Sequence, residues 1–580
     1  MHPFTLHASA RLLALTLLSL LLLTACGDDG SSEGATSSNT TASNTTASNT
    51  TASNTTASNT TASNTTASNT TATPSLCVGV RGNGQLIFEH FAAMARIHEH
   101  YGLIDGVAGG SSASITSFLT ESIYLNPQVT DCGGAPCAPE ESAARVALMF
   151  KTLLGYLAIL SQTEEALAFQ QLAPIVEEAI SQGIGDLVAN GDIDEAREAL
   201  RALFGSEDLV ELVNPELLSL LADSPDPFFH IRDLWSAIST FGSFAADSDL
   251  IFLRPGLVNF EAFAEKIGRI GTFYAAYGPA DAAAWEAFLA NCATASRGMG
   301  WPEASQLDAG DGLTCGDRYG ALLLTWRDAF LADEDNFDSR IDDPIGAHLS
   351  AIISTSVLTG DAVDQFKQAR EDYLAAEEHS LAIDFEDVRF GYWGTQEDLD
   401  AVAANASGFD DAKTDKFLSL GPATWRTALS FSPAEPGLTR ALEINDAQVS
   451  AGGWSDLAPS LVLKNLGCDK VILVTRQGDV RGFGTNVAGL LGMDDAGYDA
   501  LYDLEDAASG VGLSIAEADG RWCTDWNNVP GLDFAAAFDD GYSAPMETTD
   551  PFFSTDAAAP YGNLSDDLQL PACSPGVGAE

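Results

Sequence analysis

Positive charge is what this chain has least of. Against 82 Asp and Glu stand 27 Lys and Arg, a formal net charge of −55. A surface of that sign repels phosphate backbones and anionic headgroups, which excludes nucleic acid as a partner. Metal-binding patterns are equally scarce. The 8 histidines and 9 cysteines form no group with zinc-ligand spacing, and the acidic run Asp333-Glu334-Asp335-Asn336-Phe337-Asp338 lacks the central glycine and distant glutamate of a calcium loop. No cofactor is implied. The apolar run Leu12 to Leu23 is shorter than the roughly 20 residues that a spanning helix needs. From Thr41 to Thr71 there is no aromatic or large aliphatic side chain at all, only a repeated Thr-Ala-Ser-Asn-Thr unit. Such a segment cannot bury enough surface to offset its ordering entropy.

The apolar run follows Arg11 and ends in Leu23-Thr24-Ala25-Cys26, the pattern of a targeting segment. It resembles the lipobox of bacterial lipoproteins. The resemblance implies cleavage before Cys26, lipid attachment to that residue, and a cell-envelope location. Gly27 in place of aspartate points to the outer membrane. Removing residues 1–25 removes one arginine and no acid, leaving 26 basic against 82 acidic residues, a net of −56. Residues 26–74 are then a tether whose ~45 residues span roughly 35–40 Å as a flexible coil. Apart from Cys26, eight cysteines remain, an even number that points to disulfides in an exported protein. Cys132 with Cys137 and Cys292 with Cys315 are local pairs by spacing; pairing among Cys77, Cys468, Cys523 and Cys573 stays open.

Beyond the tether a βαβ unit is legible. A short apolar start leads into Gly79-Val80-Arg81-Gly82-Asn83-Gly84. A helix follows, with Ile87, Phe91, Met94 and Tyr101 on one face. The run Leu103 to Gly109 reads as the second strand, followed by Gly110-Ser111-Ser112-Ala113-Ser114 and a helix-like stretch from Ile115 to Ile123. That is the layout of a nucleophile elbow, with Ser112 on the tight turn and Ser114 where the pattern ends in glycine. The histidines offer no triad partner: His90, His98 and His100 lie on the first helix, and His230, His348 and His379 stand without a motif.

This arrangement resembles the patatin-like phospholipases, whose glycine-rich loop carries an Arg-Gly pair matched here by Arg81-Gly82. Two later segments also match. Ser432-Pro433-Ala434-Glu435-Pro436-Gly437 is similar to a stretch near the family's active-site wall. Val449 to Pro459 resembles its Asp-Gly-Gly block, with Gly452-Gly453 as the glycines and the strand-like Val471 to Thr475 behind. The resemblance implies an α/β fold, a three-layer α/β/α hydrolase core with a large, mainly helical insertion. It implies hydrolysis of lipid or phospholipid esters by a Ser–Asp dyad, with the amides of Gly79, Val80, Arg81 and Gly82 as oxyanion donors. On this reading residues 75–125 and 426–480 are the two parts of the core. Residues 126–425 are the insertion with some core strands, and 481–580 a C-terminal cover.

One position departs from the family pattern: Ala451 stands where the dyad aspartate belongs. Asp446, Glu435 and Asp456 lie close by, and Asp456, three residues past Gly453, is the candidate base; capping the helix that leads from Pro459 is the alternative role. Within 126–425, Val146 to Leu160 and Ile193 to Phe204 read as helices, Ile251 to Leu253 and Val388 to Tyr392 as strands. The rival to an esterase is a catalytically degenerate surface lipoprotein on the same fold, binding lipid or protein.

Overall fold

The computed structural model describes residues 75–82, 87–153, 259–276, 327–358, 388–405, 417–434, 442–444, 447–450, 459–477, 518–525 and much of 541–554. A few single positions lie between them, Gly452 and Asp456 included. The lipobox, the tether, the candidate helix 193–204, the candidate strand 251–253, Cys292, Cys315 and Cys573 lie wholly or almost wholly outside these residues.

The scaffold is a mixed ten-stranded sheet. In chain order its strands are β1 (Leu76–Val80), β2 (Gly106–Gly110), β3 (Ser350–Leu358), β4 (Val388–Trp393) and β5 (Phe417–Gly421), then β6 (Leu442–Ile444), β7 (Ala447–Ser450), β8 (Lys470–Gln477), β9 (Gly520–Asp525) and β10 (Met546–Thr548). The spatial order β10-β9-β8-β1-β2-β3-β4-β5 places β1 and β2, the apolar runs of the βαβ unit, at the buried centre. Both pair in parallel with each other and with their outer neighbours β8 and β3. β3, β4 and β5 come from the 126–425 stretch, so that segment supplies sheet as well as helix.

Helices cover both faces. On one, α1 (Ile87–Tyr101) and α2 (Ser112–Tyr124) pack with α3 (Pro139–Thr152), α4 (Phe260–Ala276) and α6 (Trp425–Phe431). They bury Val78, Val80, Val107, Ile353, Ile472 and Val474 among Phe91, Phe118 and Trp425. On the other, α5 (Gln396–Ala404) and α7 (Ser460–Leu466) cover Cys77, Ala108, Ile352, Tyr392 and Val471. The alternation of strand side chains between the two cores is the period-2 geometry of a sheet buried on both sides. The periodicity beginning at Val146 belongs to α3, whose C-cap is Leu153.

Two disulfides between described residues fasten this frame. Cys132–Cys137 closes a local loop as its spacing predicts, and Cys77–Cys468 joins residues 391 apart, tying β1 to the turn before β8. Among the described residues no helix is long and apolar enough to cross a membrane.

Candidate active site

The strand β2 ends at Gly110, and α2 begins at Ser112. Between them Ser111 holds φ 53° and ψ −130°, the only non-glycine among the described residues with positive φ. A residue in that region costs energy unless its surroundings over-determine it. They do so here through the two residues flanking it at i−2 and i+2. A Cβ on Gly109 would sit 2.7 Å from the Ala113 Cβ, so the chain can reverse this sharply only with glycine at 109 and a small residue at 113. The elbow frame is therefore Gly109-Gly110-Ser111-Ser112-Ala113, one residue earlier than its sequence reading. Ser112, expected on the turn, is instead the first residue of the helix.

The glycine-rich segment begins inside the sheet. Gly79 and Val80 lie inside β1, which is paired on both sides, and the Arg81 N–H donates to the Val474 carbonyl at 3.0 Å. These three residues are therefore engaged by the sheet ladder. Gly82 is the first residue past the ladder. Because Val80 is in register with Gly109, Gly82 and Ser111 leave the carboxyl edge of adjacent strands side by side. Gly79 has a steric role: a Cβ there would approach the Pro459 carbonyl to 3.2 Å.

The opposite wall is built from β3 and β7. Along one edge β3 pairs with β2 as far as Ser354, then with β7 from Ser356, so β2 and β7 meet end to end. At that junction the glycine block returns over the elbow. A Cβ on Gly452 would lie 2.4 Å from the Ser354 carbonyl and 2.9 Å from the Gly110 Cα; one on Gly110 would lie 2.2 Å from Ser354 Oγ. Ser432, the first residue of the proline-rich motif, locks the contact. Its Oγ accepts the Ser111 N–H at 2.9 Å and donates to the Ser354 carbonyl at 2.8 Å, while its own carbonyl accepts the Gly452 N–H at 3.0 Å.

Asp456 lies on this wall and is 2% exposed. Its backbone carbonyl accepts a hydrogen bond from Ser354 Oγ at 3.2 Å, and its Oδ2 accepts one from the Tyr392 hydroxyl at 2.7 Å. Tyr392 is in register with Ser354, which is in register with Gly110, so the three share a row and a face. Burial, reinforced by the neighbouring carboxylate, holds the Tyr392 phenol well above its ordinary value, so it remains a proton donor to Asp456. Tyr392 had no sequence signal beyond lying in a strand-like run. Asp446, Glu435 and Ala451 lie outside the described residues.

The elbow helix is anchored by its own buried groups. Glu121 accepts the His348 N–H at 2.9 Å and the Trp425 Nε1–H at 2.6 Å, and burial pushes its carboxyl up against these donors. His98 donates Nδ1–H to the Met94 carbonyl at 2.7 Å and accepts from the Tyr124 hydroxyl at 2.9 Å, joining α1 to α2. Among the described residues no group of His, Cys, Asp and Glu could hold a metal ion. Comparison with family models, with curated proteins and with solved structures finds no match to this chain.

Proposed function

We propose that the chain is a patatin-like serine acyl hydrolase, acting on carboxylic esters of lipids or phospholipids and held at the bacterial cell envelope through Cys26. The observation that carries this reading is the strained Ser111 between a parallel strand and a helix N-terminus, with Gly109 against Ala113. In such a turn the serine hydroxyl is presented at the sheet edge, and the amide after it opens the helix.

Ser111 Oγ attacks the ester carbonyl carbon as its proton passes to the Asp456 carboxylate, whose Oδ2 is oriented by Tyr392. The oxyanion collects at the amides of Ser112 and Gly82, aided by the positive end of α2. Collapse of the intermediate expels the alcohol, which takes the proton from Asp456 and leaves an acyl-Ser111 ester. Water, deprotonated by Asp456, then releases the acid and restores the hydroxyl.

Ala451 in the place of the dyad aspartate favours a second reading, a degenerate member of the fold that binds lipid or protein at the surface. Turnover of short p-nitrophenyl esters separates the two. Hydrolysis abolished by Ser111→Ala and strongly reduced by Asp456→Asn supports the enzyme; no hydrolysis by folded protein supports the binding module.

A further inference from the structure

His90 is used by nothing described so far. It sits in the first turn of α1, 0% exposed, with Nδ1 3.1 Å from the Thr116 hydroxyl on α2. Thr116 follows Ser112 by four residues, one helical turn along the same face. The helix of His90 begins at Ile87, five residues after Gly82. Two helices thus meet at one imidazole: the first helix, which follows the glycine-rich segment, and the elbow helix. Burial lowers the ring's pKa to about 3, so at neutral pH it carries one donor and one acceptor and no charge.

Stability alone does not explain a histidine here. Its Nε2 is buried and makes no well-formed hydrogen bond, and a sealed polar atom of that kind costs stability that an apolar side chain of similar shape would not. What the ring supplies and leucine cannot is the Nδ1 bond to Thr116, which ties the first turn of α1, on the chain just past the glycine-rich segment, to the elbow helix. The amides assigned to the oxyanion, those of Gly82 and Ser112, stand on the two sides of that link.

We propose that His90 is a positioning residue that sets the spacing between these two amides by clamping the first turn of α1, which follows the glycine-rich segment, to the elbow helix. The proposal rests on the hydrolase reading for its effect on rate, but not for the clamp itself.

The test compares the intact protein with His90→Leu, His90→Asn and Thr116→Val by two measurements, fluorophosphonate labelling rate and amide hydrogen exchange. In His90→Leu the labelling rate is expected to fall about tenfold to a hundredfold, the effect of a sub-ångström to ångström misplacement at a reacting centre. The melting temperature should be unchanged or higher. His90→Asn, which retains a polar atom near the place of Nδ1, should recover most of the rate, and Thr116→Val should fall with His90→Leu. Exchange in peptides containing Gly82 and Ser112 should rise in His90→Leu. Wild-type labelling and exchange in His90→Leu would overturn the clamp. If the wild type itself is never labelled, the hydrolase reading fails, and the exchange comparison alone decides for or against the clamp.

Discussion

On one side of the site Gly109, Gly110 and Ala113 are fixed by backbone contacts, and the residue they force into strain is a serine; on the other, Gly452 is fixed as tightly, but the acid near it, Asp456, is held through hydrogen bonds from Ser354 and Tyr392. Both walls retain the glycines because a Cβ at Gly110 or Gly452 would strike Ser354, a constraint that holds whether or not any chemistry occurs. The aspartate is different. Its carboxylate is held through its own partner, Tyr392, rather than by the packing at the junction of β2 and β7. Packing a glycine frame and placing a carboxylate are separate physical demands.

The comparison can be broken at either wall. Gly452→Ala sets a Cβ against two backbone groups that cannot move away cheaply, and is expected to cost about 3 kcal/mol or more in denaturant unfolding. On the elbow side, acid should loosen the α1–α2 packing. His98 has its folded pKa lowered to about 4 by burial, below the ordinary 6.5. The folded state therefore binds fewer protons than the unfolded one between these values. Its contribution is complete above pH 6.5 and is lost as pH falls toward 4, by up to about 3 kcal/mol. Unfolding of His98→Gln should show a flatter acid limb than wild type over that window.

Smaller effects sharpen the acid's role. Asp456→Asn should lower ester turnover about a hundredfold, the usual contribution of a general base, with KM little changed; an unchanged kcat would leave Asp456 as a helix-capping or packing residue. Tyr392→Phe removes one donor from a buried carboxylate and should cost roughly 1–3 kcal/mol of stability. Turnover in that variant should fall less than in Asp456→Asn, because the base remains but its orientation loosens.

Much of this frame was legible in the residues. The α1 stripe of Ile87, Phe91 and Met94, the glycine runs around β1 and β2 and the apolar Val471–Thr475 are local patterns, and local physics decides them. The frame of the elbow was not. Gly110-Ser111-Ser112-Ala113-Ser114 and Gly109-Gly110-Ser111-Ser112-Ala113 are both small-residue turns, and the choice is made by the contact of Gly109 with Ala113 and by β2 pairing with β3 through Gly110. The sheet use of the Arg81 amide depends on Val474, and the Tyr392–Asp456 bond spans 64 residues; neither leaves a mark in the local sequence. The same holds for Cys77–Cys468, whereas Cys132–Cys137, five residues apart, is readable at once.

The most direct measurement is fluorophosphonate labelling of the intact protein, with the adduct located by peptide mapping and the reaction repeated on Ser111→Ala and Ser112→Ala. A single adduct on Ser111, lost in Ser111→Ala and retained though slowed or unchanged in Ser112→Ala, is the expected result. An adduct on Ser112, or none on protein shown to be folded, would contradict the assignment of Ser111 as the activated nucleophile.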